Sequence, residues 1–82
     1  MNIEEKESLL LKANYDVHDI MLLEGCQATK AHGIMNVCRA KYHGIVPGRG
    51  NCVKSESYWL YSGTTIDEEL RRMRILRGDR NG

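Results

Sequence analysis

Phenylalanine is absent from this chain of 82 residues, proline occurs once, and the three cysteines, Cys26, Cys38 and Cys52, form no close pair. Structural zinc sites present their ligands in closely spaced pairs, so these cysteines with His43 make a poor metal set. An odd, scattered thiol count offers no disulfide framework either, and fits a reducing compartment. No apolar run reaches membrane-spanning length. The stretch after Met1 is acidic, unlike the basic-then-apolar start of a signal peptide. The expectation is a cytoplasmic protein with reduced thiols that needs no metal and no cofactor. His18, His32 and His43 are scattered, whereas nucleophilic catalysis needs a thiol or hydroxyl beside an oriented base. With no Gly-rich phosphate cradle and no serine elbow, an enzyme is not expected.

A large charge excess is missing too, since the net charge is only +1. The distribution is uneven, however. Residues 1–24 carry two lysines against six acids, whereas residues 25–63 carry Lys30, Arg39, Lys41, Arg49 and Lys54 against Glu56 alone. Holding phosphates takes local positive potential rather than a basic total. A chain this short forms one small domain with a thin core and little room for a deep substrate cleft, which favours a binding module.

Residues 20–42 have the layout of a helix-turn-helix. Asp16 suits an N-cap, with Asp19 adding an acid at the positive end of a helix over 17–24. Gly25 ends that helix, being the residue that takes a left-handed conformation without strain. A second helix starts near Ala28, with Gln27 as a weak cap. Ile20 and Leu23 give the first helix an apolar face, and Ala31, Ile34 and Cys38 give the second one. Gln27, Thr29, His32, Asn36 and Arg39 then point largely outward, as donors and acceptors able to meet base edges or phosphates. Gly33 lies among them, either permitting close backbone approach or simply weakening the helix.

On either side the elements are short. Residues 3–13 suit an acidic leading helix or a partly frayed arm, in which Leu9, Leu10 and Leu11 cannot all face inward. Residues 44–53 read as a β-hairpin, with Ile45-Val46 and Cys52-Val53 flanking a turn that carries Arg49 at its tip. Ser55 can cap a helix through Tyr61 that closes at Ser62-Gly63, although SYWLY would also suit a strand. Tyr58, Trp59 and Tyr61 concentrate the aromatic mass and should anchor the core. Thr64 or Thr65 opens a last helix, IDEELRRMRILR. Its acids lead and its arginines trail, Ile66, Leu70 and Met73 form a stripe, and Asp67–Arg71 and Glu68–Arg72 are favourable pairs. The divisions are thus 1–14 (helix or arm), 15–63 (helix-turn-helix with hairpin), 64–78 (C-terminal helix) and 79–82 (frayed tail).

Tyr15-Asp16-Val17-His18-Asp19-Ile20-Met21, Gly25-Cys26, Lys30-Ala31-His32-Gly33-Ile34-Met35 and Ile45-Val46-Pro47-Gly48-Arg49 resemble the small excisionase-like winged helix-turn-helix proteins of phages and integrative elements. The resemblance spans about residues 15–61 and is a pattern of residue types rather than a signature. It implies non-catalytic DNA binding near attachment sites, often side by side, with bending that lets an integrase act. Carried over by position, recognition-helix contacts would come from Gln27, Thr29, Lys30, His32, Asn36 and Arg39, and contacts from the wing would come from Arg49 with Lys54. The weak cap at Gln27, Gly33 and the extended C-terminal helix depart from the pattern.

The expected fold is mainly α with a small β-hairpin, a winged helix-turn-helix. The expected function is sequence-preferring binding of double-stranded DNA, as an excisionase-like accessory factor or a small transcriptional regulator of a mobile element. Lys30, Arg39, Lys41, Arg49 and Lys54 would hold phosphates, and Gln27, Thr29, His32 and Asn36 would face base edges. Partners would be the duplex, an integrase or recombinase, or another copy of the chain, and no membrane. The alternative is a helical protein-interaction module using the Ile66–Leu70–Met73 stripe and the acidic leading segment.

Overall fold

A computed structural model describes residues 3–76 and 78 and gives a mainly helical chain with one small antiparallel sheet. In order the elements are α1 (Ile3–Leu11), β1 (Asn14–Tyr15), α2 (Val17–Glu24), α3 (Ala28–Lys41), β2 (Val53–Lys54), α4 (Ser55–Ser62) and α5 (Ile66–Leu76). Among the described residues no helix is long and apolar enough to cross a membrane.

The α2–turn–α3 unit follows from local chemistry. Asp16 is extended, and its carboxylate accepts from the Asp19 N–H at 3.0 Å while the Asp19 carboxylate accepts from the Asp16 N–H at 3.1 Å. This reciprocal box satisfies two donors at the helix start. The Asp19 N–H holds the Asp16 carboxyl below its ordinary range. Gly25 ends α2 at φ +62°, with its N–H on the Met21 carbonyl. Gln27 caps α3 with backbone alone, its side chain making no cap bond. Ile20 is fully buried, and Ala31, Ile34, Met35 and Cys38 form the inward face of α3. Met35 was not anticipated, although it completes the three-and-four spacing of that face.

The expected hairpin is replaced by a different sheet. Only a single bridge, Ile45 to Val53, survives from it. Val53–Lys54 pairs instead with β1, with Tyr15 opposite Val53 and Asn14 opposite Lys54. Two successive turns, Arg49 N–H to Val46 carbonyl and Cys52 N–H to Arg49 carbonyl, fold residues 46–52 into a compact loop. Chain committed to turns cannot extend as ladder strands, so Ile45–Val46 and Cys52–Val53 never form the long arms. Cys52, expected in a strand, is buried at the end of the loop.

The leading segment is a helix, not an arm, and it belongs to the same core. Leu9 and Leu10 are buried while Leu11 is 70 % exposed. Tyr15 is wholly buried: its hydroxyl donates to the Leu9 carbonyl at 2.7 Å and accepts from Trp59 Nε1 at 2.9 Å. Ser55 proves to be the first residue of α4, not its cap. Its N–H and hydroxyl both go to the Ala13 carbonyl, tying the leading segment to α4. Tyr58 packs edge-on against Trp59 and Tyr15, so the aromatic segment does anchor the core, as a helix.

Gly44 is a point of close approach. A methyl group there would lie 3.0 Å from the Cys38 carbonyl carbon and oxygen.

Thr65 caps α5 by accepting from the Glu68 N–H, and Met73 is buried with Ile66 and Leu70 packed partly buried around it. The helix lies on α1. Neither anticipated surface pair forms. The Glu68 carboxylate accepts from the Thr64 hydroxyl at 2.9 Å, and Arg72 turns to Glu69 at 3.5 Å. Glu69 is buried, with Lys6 of α1 at 3.6 Å on its other side. Gly78 closes the helix region with its N–H on the Ile75 carbonyl. Arg77 and the tail over 79–82 lie outside the described residues.

Candidate nucleic-acid interface

Every candidate contact residue lies at the surface. Gln27, Thr29, Lys30, His32, Asn36, Lys41, Arg49 and Lys54 are exposed, and Arg39 is half-buried. At about 100° of rotation per residue, burying Ala31, Ile34, Met35 and Cys38 sets the opposite face of α3. That face is a stripe of short side chains, Thr29, Gly33, Asn36 and Ala40. Lys30 and Lys41 run along one flank, about three turns apart, while His32 and Arg39 run along the other. Nothing lies within 4 Å of where a side chain on Gly33 would begin. The polar members of this face are legible from spacing in the sequence, whereas Ala40 is not. Its outward position follows only once Met35 is counted with the core.

Among the described residues the cations of this surface have no ion-pair partner. Among the described residues the ion pairs are Lys6–Glu69, Lys12–Asp19 and Arg72–Glu69, on α1, α2, α5 and the connection after α1. None involves Lys30, Arg39, Lys41, Arg49 or Lys54. The first turn of α3 holds no acid and no side-chain cap, while Arg39 and Lys41 occupy its last turn. The positive end of the helix dipole is therefore open to solvent.

Arg39 differs from its neighbours. Its Nη2 donates to the Gly50 carbonyl at 2.9 Å and its Nη1 to Asn36 Oδ1 at 3.1 Å. Two of five guanidinium donors are thereby used within the chain, leaving the charge itself unpaired by any acid. Arg49 stands in the middle of the loop, between its two turns. It lines a shallow cleft with Lys12, Asn14, Asp16, Asp19 and Cys52. Of the acids there, Asp19 holds Lys12 at 2.7 Å, a contact that raises the lysine pKa, and the Asp16 carboxylate accepts from the Asp19 N–H. Lys54 projects from β2 beside the Gly44 connection, its N–H on the Gly44 carbonyl.

Cys26 is half-buried in the turn before α3. Cys38 and Cys52 are buried, and desolvation lifts the Cys38 thiol above its ordinary pKa, which disfavours a thiolate. His43 follows α3 in a left-handed conformation at φ +57°, exposed and leading into the loop. Among the described residues no group of three or more His, Cys, Asp or Glu side chains is placed to hold a metal ion. Comparison with protein-family models, curated proteins and solved structures returns no match for this chain.

Proposed function

We propose that this chain is a winged helix-turn-helix that binds duplex DNA and performs no catalysis on it. The observation that carries this reading is the outward face of α3, a stripe of short side chains with Lys30 and Lys41 on one flank and His32 and Arg39 on the other, none of them in an ion pair among the described residues. A B-form major groove is about 12 Å wide and admits one α-helix, with phosphates on both walls. Short residues along the leading edge let the helix axis sit deep, with Lys30 and Lys41 toward one backbone and Arg49, on the loop joined to Arg39, toward the other. Lys30, Lys41, Arg49 and Lys54 supply phosphate contacts, with Arg39 adding to the local potential. Gln27, Thr29, His32 and Asn36 are available to base edges. The compact loop carrying Arg49 takes the place of the wing.

Such a protein acts by occupying a site, as an excisionase-like accessory factor or a small regulator of a mobile element. An integrase or a second copy would be its partner at the site. Where the bound sequence lies, beside an attachment site or over a promoter, separates the two roles. The alternative of a protein-interaction helix loses its main support, because the Ile66–Leu70–Met73 stripe is packed within the chain.

Fluorescence anisotropy with a random duplex at several salt concentrations tests the reading. Affinity should fall steeply with salt, and Arg49→Ala should reduce the slope by about 1 while circular dichroism stays unchanged. Binding that ignores salt, or no binding at low salt, would overturn it. An unchanged slope in the variant would remove the loop from the interface.

A further inference from the structure

We infer that Arg39 is the positioning residue of this surface: its guanidinium ties the 46–52 loop to α3 and fixes the amide of Asn36. The inference rests on the DNA-binding reading above and assigns Arg39 a role other than that of one more phosphate ligand.

Three observations carry it. First, the two bonds diverge from one planar group, Nη2 to the Gly50 carbonyl and Nη1 to Asn36 Oδ1. A planar fork can hold two acceptors in fixed directions at once, which a lysine ammonium on a flexible stem does not reproduce. Second, the loop has little else to hold it to the helix. Among the described residues, the Arg39–Gly50 bond is the one hydrogen bond that joins α3 to residues 46–52. Within the loop, Gly48 at φ +77° and Gly50 give a backbone that is costly to order. Third, Arg39 is half-buried where the other cations of the surface are exposed, as befits a group wedged between two elements.

The consequence for recognition is directional. With Oδ1 held toward Arg39, the Asn36 amide turns its N–H donors to the other side. Those donors suit the acceptors that line the major groove, purine N7, guanine O6 and thymine O4. Arg39 thus sets which partner atoms Asn36 meets, and it holds Arg49 at a fixed distance from the helix that reads them. Loop and helix then meet the duplex as one preorganised unit, without a separate ordering cost at binding.

Arg39→Lys is the test, since it keeps the charge and loses the fork. In the free protein, NMR should show the Gly50 carbonyl carbon shifting and amide exchange across residues 46–52 rising, with the α3 core amides unchanged. A duplex selected from a random pool by the unaltered protein then serves as the preferred site. Arg39→Lys should lower preference for that duplex over random DNA by about tenfold or more, the scale of one lost charge-assisted bond. Random-duplex affinity should fall less than that. In an Asn36→Ala background the same substitution should change preference little, because the two residues act through one contact. An unmoved Gly50 carbonyl and unchanged loop exchange would overturn the tether. Equal losses on selected and random DNA would overturn the positioning role and make Arg39 a phosphate ligand. If the unaltered protein binds no duplex, the DNA reading itself fails, and the Gly50 signal alone decides whether the fork holds the loop.

Discussion

The Tyr15 hydroxyl donates to the Leu9 carbonyl and accepts from the Trp59 indole, so one oxygen joins α1, β1 and α4 in the interior. Removing it leaves the buried Trp59 N–H without its acceptor, while the Leu9 carbonyl keeps the Lys12 N–H, and a stranded buried donor costs more than a lost surface hydrogen bond. Tyr15→Phe should therefore lower stability by about 1–3 kcal/mol in urea unfolding, although the ring still fills its site. Burial pushes the Tyr15 hydroxyl up to about 12, and Tyr58 likewise. A phenol raised in the folded state favours folding below its unfolded pKa of about 10, and that contribution fades as pH climbs toward the folded value. The loss of stability above about pH 10 should accordingly be shallower in Tyr15→Phe than in the unaltered chain. Nothing local in the sequence marks this residue as a core anchor. Its strand is two residues long, too short to show alternation, and its partners lie six and 44 positions away.

Among the elements, α2 and α3 were legible because their signals are local. Asp16 as a cap, Gly25 as a stop and Ala31, Ile34 and Cys38 as an inward face each depend on neighbours within a turn. Asp16→Ala should cost about 1 kcal/mol at neutral pH. The Asp16 pKa is depressed in the folded chain, so its contribution exists above the unfolded value and is lost as pH falls. The gap between variant and unaltered protein should narrow below about pH 4, as read by thermal unfolding across pH. The hairpin was misread because composition marks a turn without saying what the flanking residues pair with. Val53 found Tyr15, and that choice depends on where α1 returns the chain. The pairs expected on α5 failed similarly, since Glu69 is drawn inward by α1. Gly33 gives α3 its own test. With open space around it, Gly33→Ala should stabilise the fold by about 1 kcal/mol in urea unfolding. It should weaken duplex binding, because a methyl group would then stand between helix backbone and groove. Improved stability with unchanged affinity would show that the backbone at Gly33 stays clear of DNA.

Across the whole molecule, charge is sorted by place rather than by total. Among the described residues the ion pairs engage α1, α2, α5 and the connection after α1, while α3, the loop and β2 keep cations without acidic partners. The candidate surface was legible to this extent: residue types on α3 and at the loop tip could be read from spacing and local charge. The link between them could not. Arg39 reaches Gly50 across eleven positions, through a fold whose loop had been drawn as a hairpin. Mapping the bound surface tests the central claim most directly. Titrating isotope-labelled protein with a short duplex and following amide shifts should move Thr29, Gly33, Asn36 and Ala40 together with residues 48–51, and leave the exposed faces of α1 and α5 still. Shifts confined to α1 and α5, or none at a duplex concentration that saturates the anisotropy signal, would contradict it.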